Sequence, residues 1–399
     1  MTIEIIIALC SLLLLAYVFD ISSAFTRIPS VILLLLLGWV VRQACDFFQI
    51  PVPNLNPLLP IFGTIGLILI VLEGSLELEL NKTKVPVIKK SLMLALLPML
   101  ASAFLLAWAF HYFGQVSYKT ALVNAIPFCV ISSAIAIPSV RSLSADKREL
   151  IIYESSLSDI FGVLFFNFIA LNEFINAKSF GQFTLQLLII ILISFIAVVC
   201  LSYLLSRIKH HITFAPIILL VILIYAISKA FHLPGLIFIL VFGLFLGNLD
   251  ELKRFKWIEK FRPEKLDKEV VKFKEITLEA TFLIRALFFL LFGFLMKAEE
   301  ILNTETLPWA ISIVAIIIII RWTTLRLSGL DLFPLLFIAP RGLITILLFL
   351  AILPEQAISI VNKSLIIQTI IISVLIMMFG LIRQGPSKSI ITDEADKIS

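Results

Sequence analysis

Two acidic residues lie inside one long apolar segment, where ionised side chains are rare and are functional candidates. Glu154 and Asp159 both belong to the stretch LIIYESSLSDIFGVLFFNFIALN. If this stretch is a helix that enters a membrane near Leu150, Asp159 lies roughly 15 Å along it, close to mid-depth. Glu154 lies only about 7 Å along the same helix. The two carboxyl groups are therefore expected at different depths.

Asp159 has the position of a group that can bind and release ions. An unpaired carboxyl in an apolar medium favours its protonated form, because the charged form loses its hydration. Such a group can release the proton and bind a cation in its place, which is the chemistry of an exchanger. Ser155 and Ser158 could add oxygens beside it, or they could be small packing residues. The alternative for Asp159 is a hydrogen bond to a neighbouring helix that only holds the two helices together.

A buried arginine lies in a second apolar segment, AIIIIIRWTTLRL. Arg321 is roughly 7 Å from the cytoplasmic end of that segment, which is the depth expected for Glu154. An uncompensated charge inside a protein is costly, so we predict an ion pair between Glu154 and Arg321. The pair would leave Asp159 as the acid without a basic partner.

Prolines interrupt two further apolar segments. In VNAIPFCVISSAIAIPSVR, Pro127 and Pro138 bracket Ser132 and Ser133. Proline removes a helix hydrogen bond, so this pattern predicts a helix that is broken near mid-depth. A single proline alone is more typical of a packing kink.

The second interrupted segment is FPLLFIAPRGLITILLF, which contains Pro340, Arg341 and Gly342 in succession. It runs through the membrane in the opposite direction to the first interrupted segment. Two broken helices at corresponding positions of inverted halves indicate a transporter site. Arg341, or the N-termini of the half-helices, could offset the facing helix dipoles.

The elements that must position these residues are membrane-spanning helices. The chain has 399 residues, of which 60% are apolar and 15% charged, whereas a soluble domain is nearer half apolar and a quarter charged. A spanning helix needs about 20 mostly apolar residues. Thirteen stretches qualify, at roughly 3–19, 30–47, 57–74, 90–112, 119–141, 150–172, 183–206, 212–229, 234–249, 276–297, 307–326, 331–353 and 364–383. We therefore predict an all-α polytopic membrane protein with about 13 spans, inverted repeats and two broken crossing helices.

The basic residues predict the direction of the spans. With the N-terminus outside, 23 of the 32 Lys and Arg residues fall on the cytoplasmic side, 6 fall outside and 3 lie within spans. This bias favours an outside N-terminus and a cytoplasmic C-terminus. The longest polar segment, residues 248–275, is expected to be a cytoplasmic connector or an amphipathic surface helix. The first residues lack a basic start and a cleavage site, so we expect a retained membrane helix.

Several functional classes are excluded. The four cysteines occur singly in apolar runs, which argues against a disulfide framework or a zinc site. The composition argues against a nucleic-acid binder, and no P-loop or GxGxxG motif is present. We therefore expect no soluble enzyme, no intramembrane enzyme and no bound cofactor.

The motifs, in this order and at these depths, resemble the monovalent cation:proton antiporter superfamily, which carries the sodium/proton exchanger domain. Residues 154–159 (ESSLSD) are similar to its E-S-L-L-N-D element. Residues 132–135 (SSAI) look like the S-S-T-A form of its fifth-span break, seen in the glutathione-gated potassium efflux branch. The other similar positions are residues 72–76 (LEGSL, for F-E-G-G-L), residues 286–293 (for F-F-x-x-x-G), Arg321, and Arg341-Gly342.

The resemblance implies a fold and an assembly for residues 1–383, with residues 384–399 as a short cytoplasmic tail. A six-helix core would move past a dimerisation scaffold in an elevator-like cycle of alternating access. The scaffold would comprise about 1–75 and 212–297, and the core about 90–172 and 307–383. It also implies a homodimer in a bacterial-type plasma (inner) membrane.

The resemblance also implies the site. Asp159 would bind either a proton or a monovalent cation, with Na⁺ favoured over K⁺. Ser132, Ser133 and Ser158, with freed backbone carbonyls, would complete the oxygen shell of the ion. Glu154 and Arg321 would be the ion pair of the core, and Pro340, Arg341 and Gly342 would support the broken helix. Ser158 replaces the Asn of the family element, and the single acid implies electroneutral exchange.

Two other functions remain open. One is a sodium-coupled organic-anion symporter on a similar inverted-repeat fold, although the breaks lack a cluster of Asn, Gln and Thr. The other is a non-transporting membrane sensor or scaffold that descends from an antiporter, because function depends on the site and not on the fold. The sensor predicts no ion flux and tolerance of substitutions at Asp159.

Overall fold

A computed structural model describes most of the chain. The described residues are 2–26, 28–50, 52–78, 81, 83–141, 143–172, 176–207, 214–231, 233–248 and 263–383. Residues 249–262 of the basic segment at 248–275 and the whole of the predicted tail at 384–399 lie outside them. Within the described ranges the protein is built of helices, turns and irregular segments, without a β-strand.

The helices follow one another with short connections. The first eight are α1 (Thr2–Thr26), α2 (Ser30–Phe47), α3 (Leu58–Glu77), α4 (Val85–Gly114), α5 (Tyr118–Cys129), α6 (Ser133–Ser139), α7 (Ala145–Leu171) and α8 (Ala177–Arg207). The remaining seven are α9 (Phe214–Ala230), α10 (Gly235–Gly247), α11 (Pro263–Phe294), α12 (Ala298–Ile301), α13 (Leu307–Leu327), α14 (Leu343–Leu350) and α15 (Lys363–Arg383). A short 3₁₀ turn covers Pro354–Gln356.

Ten helical stretches among the described residues are long and apolar enough to cross a membrane, with α5 and α6 together forming one of them. The shorter apolar helices α9 and α10 add two more positions. The predicted span at 331–353 consists of turns followed by α14, so its helical part is only eight residues long. The helical membrane fold is thus confirmed, whereas the count of thirteen spans stays a prediction.

The chain divides into two compact units. The first unit contains Met1–Gly63, Lys90–Gly162 and Arg285–Ser399. In it α1 packs against α2, α13 against α15, and the N-terminal half of the first broken helix, α5, against α14. All predicted site residues belong to this unit. Compactness does not test which parts move, so the division into scaffold and core also stays a prediction.

The second unit contains Thr64–Lys89 and Val163–Ile284, with α8, α9 and α10 packed together. Gly243 and Gly247 bring α10 directly against the end of α3. A Cβ on Gly247 would lie 2.7 Å from the carbonyl oxygen of Leu76, and one on Gly243 would overlap Ser75. The Nδ2 atom of Asn248 then donates to the carbonyl oxygen of Leu78, 2.7 Å away. This close contact explains why small residues are needed here.

The first broken helix unwinds over residues 130–132. Val130 (φ −86°, ψ 130°) and Ser132 (φ −80°, ψ 112°) have extended backbones between α5 and α6. Their region keeps its backbone amides satisfied through other segments, because the Ile131 amide donates to Ser158 Oγ at 3.0 Å. Irregular backbone inside a membrane is tolerated only where such partners exist.

Candidate functional site

Asp159 is enclosed by the first broken helix. The backbone amide of Ser133 donates to Asp159 Oδ2 at 3.3 Å, and the Ser133 hydroxyl donates to the same oxygen. The other carboxyl oxygen, Oδ1, has no hydrogen-bond partner among the described residues. The residue is 2% exposed. One oxygen of the carboxyl is therefore held by α6 while the other is available.

Glu154 and Arg321 contact each other, as the matching depths predict. The two terminal nitrogens of the Arg321 guanidinium donate to the Glu154 carboxylate: Nη1 to Oε1, and Nη2 to Oε2 at 3.0 Å. Arg321 Nε also donates to the carbonyl oxygen of Leu335 at 2.8 Å. Both side chains are at most 2% exposed. The pair joins α7 and α13 to the segment that precedes the second break.

Asp159 has no comparable partner. No Lys, Arg or His nitrogen in the described part of the chain lies within 4.0 Å of its carboxyl oxygens. Glu154, by contrast, has its charge offset by Arg321. The site thus contains one neutralised acid and one acid whose charge would have to be offset by a proton or a cation.

The two breaks are joined by backbone and by close packing. The Ser132 amide donates to the carbonyl oxygen of Pro340 at 2.9 Å. Gly342 lies against the first break, where an added Cβ would lie 3.0 Å from Ser132 Oγ and would overlap Ile135 Cδ1. A glycine is therefore required at 342 by space, since its φ of −171° is an ordinary extended value.

Arg341 binds the carbonyl ends of both interrupted segments. Its Nε donates to the carbonyl oxygen of Phe128, and its Nη2 to that of Cys129 at 3.4 Å. Its Nη1 donates to the carbonyl oxygen of Ala339 at 2.8 Å. The C-terminal end of a helix carries a partial negative charge. The buried guanidinium thus lies where it offsets the dipole of α5.

Several oxygens around the break are unengaged within the described residues. Ser132 Oγ is buried and has no partner, and no hydrogen bond reaches the carbonyl oxygens of Val130 and Ile131. Ser158 Oγ differs, because it accepts the Ile131 amide. Oxygens of this kind suit a monovalent or other hard cation. Four of the predicted residues, at 132, 133, 158 and 159, are thus brought together.

Two other buried hydroxyls were not predicted as site residues. Ser156 Oγ and Thr345 Oγ1 are buried and have no partner within the described ranges. Ser156 lies three residues before Asp159 on α7, and Thr345 lies in the first turn of α14. The signal for Ser156 was a departure within ESSLSD, where the family element has Leu. The described residues contain no group of three or more His, Cys, Asp and Glu side chains that could hold a metal.

Comparisons with solved structures agree on the fold. The structure is similar to that of the sodium proton antiporter MjNhaP1 from Methanocaldococcus jannaschii at pH 8, with a TM-score of 0.65, 20% identity and 96% of both chains covered. A three-dimensional electron-microscopy map of MjNhaP1 gives a TM-score of 0.67 and 19% identity, again over 96% of both chains.

The sequence comparisons give two results. No curated protein sequence matches the chain. Residues 9–384, by contrast, match the family described as sodium/hydrogen exchanger, transmembrane. This match covers nearly the whole chain, confirms the resemblance and identifies the protein as a member of the sodium/hydrogen exchanger family.

Proposed function

We propose that this protein is a secondary antiporter that exchanges a monovalent cation, with Na⁺ favoured and K⁺ the second choice, for H⁺ by alternating access around Asp159. Its family consists of transporters and not of enzymes. The fold is that of a solved sodium proton antiporter. Both findings support cation/proton antiport, and the ion, the stoichiometry and the site residues are part of the proposal.

One observation carries the proposal. Asp159 is buried, has no basic partner in the described part of the chain and keeps one carboxyl oxygen without a hydrogen bond. A bare carboxylate is unfavourable at membrane depth. Binding a proton neutralises it, and binding a monovalent cation does the same. The two ligands therefore compete for one group.

This competition also explains the coupling. A core that carries a protonated or a cation-bound Asp159 has no uncompensated charge at this group. A core with an empty, ionised Asp159 would have to move a bare charge through an apolar environment, which is costly. The empty core is therefore slow to reorient, so a cation crosses one way only when a proton crosses the other way.

The oxygens for the cation come from the first break. Asp159 Oδ1, Ser132 Oγ and the carbonyl groups of Val130 and Ile131 are unengaged within the described residues. Ser133 holds Oδ2 and thereby orients Oδ1, and Ser158 holds the unwound backbone through Ile131. A cation at Oδ1 would replace lost water with these fixed oxygens.

The charge count favours electroneutral exchange. Of the two buried acids on α7, Glu154 is neutralised by Arg321, which leaves Asp159 to carry one proton or one cation. One positive charge then moves in each direction per cycle. We further propose a homodimer in the plasma (inner) membrane, with the N-terminus outside and the C-terminus in the cytoplasm.

Proteoliposomes with a trapped pH dye and an imposed proton gradient test the function. Na⁺, Li⁺ or K⁺ is added in turn, with the membrane potential clamped. We expect dequenching by at least one cation in the wild type and none in Asp159→Asn. Asp146→Asn is the matched control, since Asp146 is an exposed acid on the same helix, and it should retain exchange.

The outcomes separate the remaining functions. Retained exchange in a folded Asp159→Asn variant would contradict the proposed role of Asp159 as the ion-binding group. If no cation causes dequenching with the wild-type protein inserted in the membrane, the non-transporting sensor or scaffold would be favoured. Cation uptake that depends on an added organic anion would favour the symporter. A current on a supported membrane during exchange would contradict electroneutrality.

A further inference from the structure

We propose that Ser156 supplies an additional oxygen ligand to the transported cation and so contributes to the choice of ion. This inference rests on the proposed function, because it concerns the cation that Asp159 binds. Ser156 is on α7, three residues before Asp159, and is 2% exposed. Its Oγ has no hydrogen-bond partner among the described residues.

Ser156 differs from several other buried helical hydroxyls of the described residues, which do have a partner. Serine and threonine side chains in a helix commonly donate to the carbonyl four residues earlier. Ser155, Ser194 and Thr369 do so, with distances of 2.8, 2.5 and 2.8 Å. Ser156 does not make this bond. A buried hydroxyl without a partner is destabilising, so Ser156 Oγ is free to bind a ligand that the described residues do not supply.

The helix geometry places Ser156 next to Asp159 on the surface of α7. Residues three apart on a helix are neighbours, with Cβ atoms about 5–6 Å apart. Asp159 Oδ2 is engaged by Ser133 of α6, so Oδ1 is the oxygen left for an ion. A small cation between Oδ1 and Ser156 Oγ would bind one charged and one neutral oxygen. Such hard oxygen ligands suit alkali cations.

Ser156 departs from the family element that residues 154–159 resemble. The family element E-S-L-L-N-D has Leu at this position, so the hydroxyl is an added oxygen. The same element has Asn where this chain has Ser158, whose oxygen already accepts the Ile131 amide. The Ser158 oxygen is therefore occupied by the backbone, whereas the Ser156 oxygen has no partner among the described residues and can bind the cation. A shell with one more protein oxygen and one less water should discriminate among Li⁺, Na⁺ and K⁺.

The test compares Ser156→Ala with Ser156→Thr, which keeps the hydroxyl, and with Ser194→Ala. Ser194 is a buried serine whose hydroxyl bonds to Ile190, so its removal controls for general loss of a buried hydroxyl. Exchange is measured against cation concentration in proteoliposomes. In Ser156→Ala we expect the apparent KM for the preferred cation to rise about tenfold, with a maximal rate within about twofold of wild type. Ser156→Thr should restore most of the KM, and Ser194→Ala should keep the wild-type KM.

A second readout does not need transport. A cation that binds the folded protein raises its Tm, and at a fixed cation concentration tighter binding gives a larger rise. We expect the rise in Tm on adding NaCl, relative to choline chloride, to shrink in Ser156→Ala and to vanish in Asp159→Asn. An unchanged KM and an unchanged Tm response in Ser156→Ala would overturn the role of Ser156. If the wild type itself neither exchanges nor responds to any cation, the proposed function fails first, which is a different result.

Discussion

The backbone amide of Ser132 donates a hydrogen bond to the carbonyl oxygen of Pro340, 2.9 Å away, and this bond joins the backbones of the two broken segments. Arg341 reinforces the junction by donating to the carbonyl oxygens of Phe128 and Cys129. The unwound chain of one break is therefore the hydrogen-bond partner of the other. A substitution that displaces one break should therefore displace the other. It should also displace Asp159, which accepts a hydrogen bond from Ser133.

Gly342→Ala tests this junction. The added methyl group would overlap Ile135 Cδ1 and lie 3.0 Å from Ser132 Oγ, so it should separate the breaks. We expect a loss of about 2 kcal/mol of stability, in the range of overpacking, and a strong loss of exchange. Gly181→Ala is the control, since no atom of the described residues lies within 4 Å of its Cβ position. If Gly342→Ala has the Tm and the exchange rate of Gly181→Ala, the junction is not tight.

The Glu154–Arg321 pair predicts a non-additive pattern of stability. Removing one partner leaves a buried charge without compensation, which costs about 3–5 kcal/mol. Glu154→Gln and Arg321→Gln should each lower the Tm strongly. The double variant should be less destabilised than the sum of the two, because neither charge is left alone. Thermal unfolding in detergent gives the Tm of the wild type, the two single variants and the double variant. Strictly additive losses of stability in the double variant would contradict a direct pair.

Ser158→Ala should destabilise the first break through its backbone. Ser158 Oγ is the acceptor for the Ile131 amide at 3.0 Å, and a buried amide left without an acceptor costs about 1–3 kcal/mol. We expect a lower Tm together with slower exchange. Ser158→Thr keeps the oxygen and should be milder. Equal Tm values for the Ala and Thr variants would show that the oxygen does not hold the backbone.

The two arginine contacts of Asp20 predict a larger loss of stability for a substitution of Asp20 than for one of its exposed partner Arg141. Its Oδ2 accepts from Arg141 Nη1 at 3.2 Å, and its Oδ1 lies 3.7 Å from Arg285 Nη2. The Arg141 side chain is 49% exposed and that of Arg285 only 6%. Arg141→Gln should therefore cost at most about 1 kcal/mol. Asp20→Asn should cost more, roughly 2 kcal/mol, because it weakens a bond to a buried charge. A larger effect of Arg141→Gln would contradict this ranking.

The spans and the acid–base pair follow from sequence because their determinants are local. Runs of about 20 apolar residues define spanning helices, and the equal depths of Glu154 and Arg321 were enough to pair them. The exact residues of the first break were harder to predict from the sequence. It begins after Cys129, two residues beyond Pro127, and its amides bond to Ser158 and Pro340. Such long-range partners are not encoded in the local pattern.

Other features needed the structure for similar reasons. The sequence left open whether Arg341 or the half-helix N-termini offset the facing dipoles, and the three carbonyl contacts of Arg341 identify the guanidinium as one such group. The segment at 331–353 is mostly turns before α14 because its prolines exclude a continuous helix. Ser156 was missed because a serine between apolar residues looks like a packing residue until its hydroxyl is found without a partner.

The proposed exchange requires that Asp159 binds a proton or a cation but never both. Titration calorimetry of the purified protein with NaCl, repeated in buffers of different ionisation enthalpy, counts the protons released per cation bound. At a pH where Asp159 is protonated, we expect about one proton released per Na⁺ in the wild type and in Asp146→Asn, and neither binding nor release in Asp159→Asn. Na⁺ binding to the wild type without proton release, or unchanged proton release in Asp159→Asn, would contradict competition between a proton and a cation at Asp159.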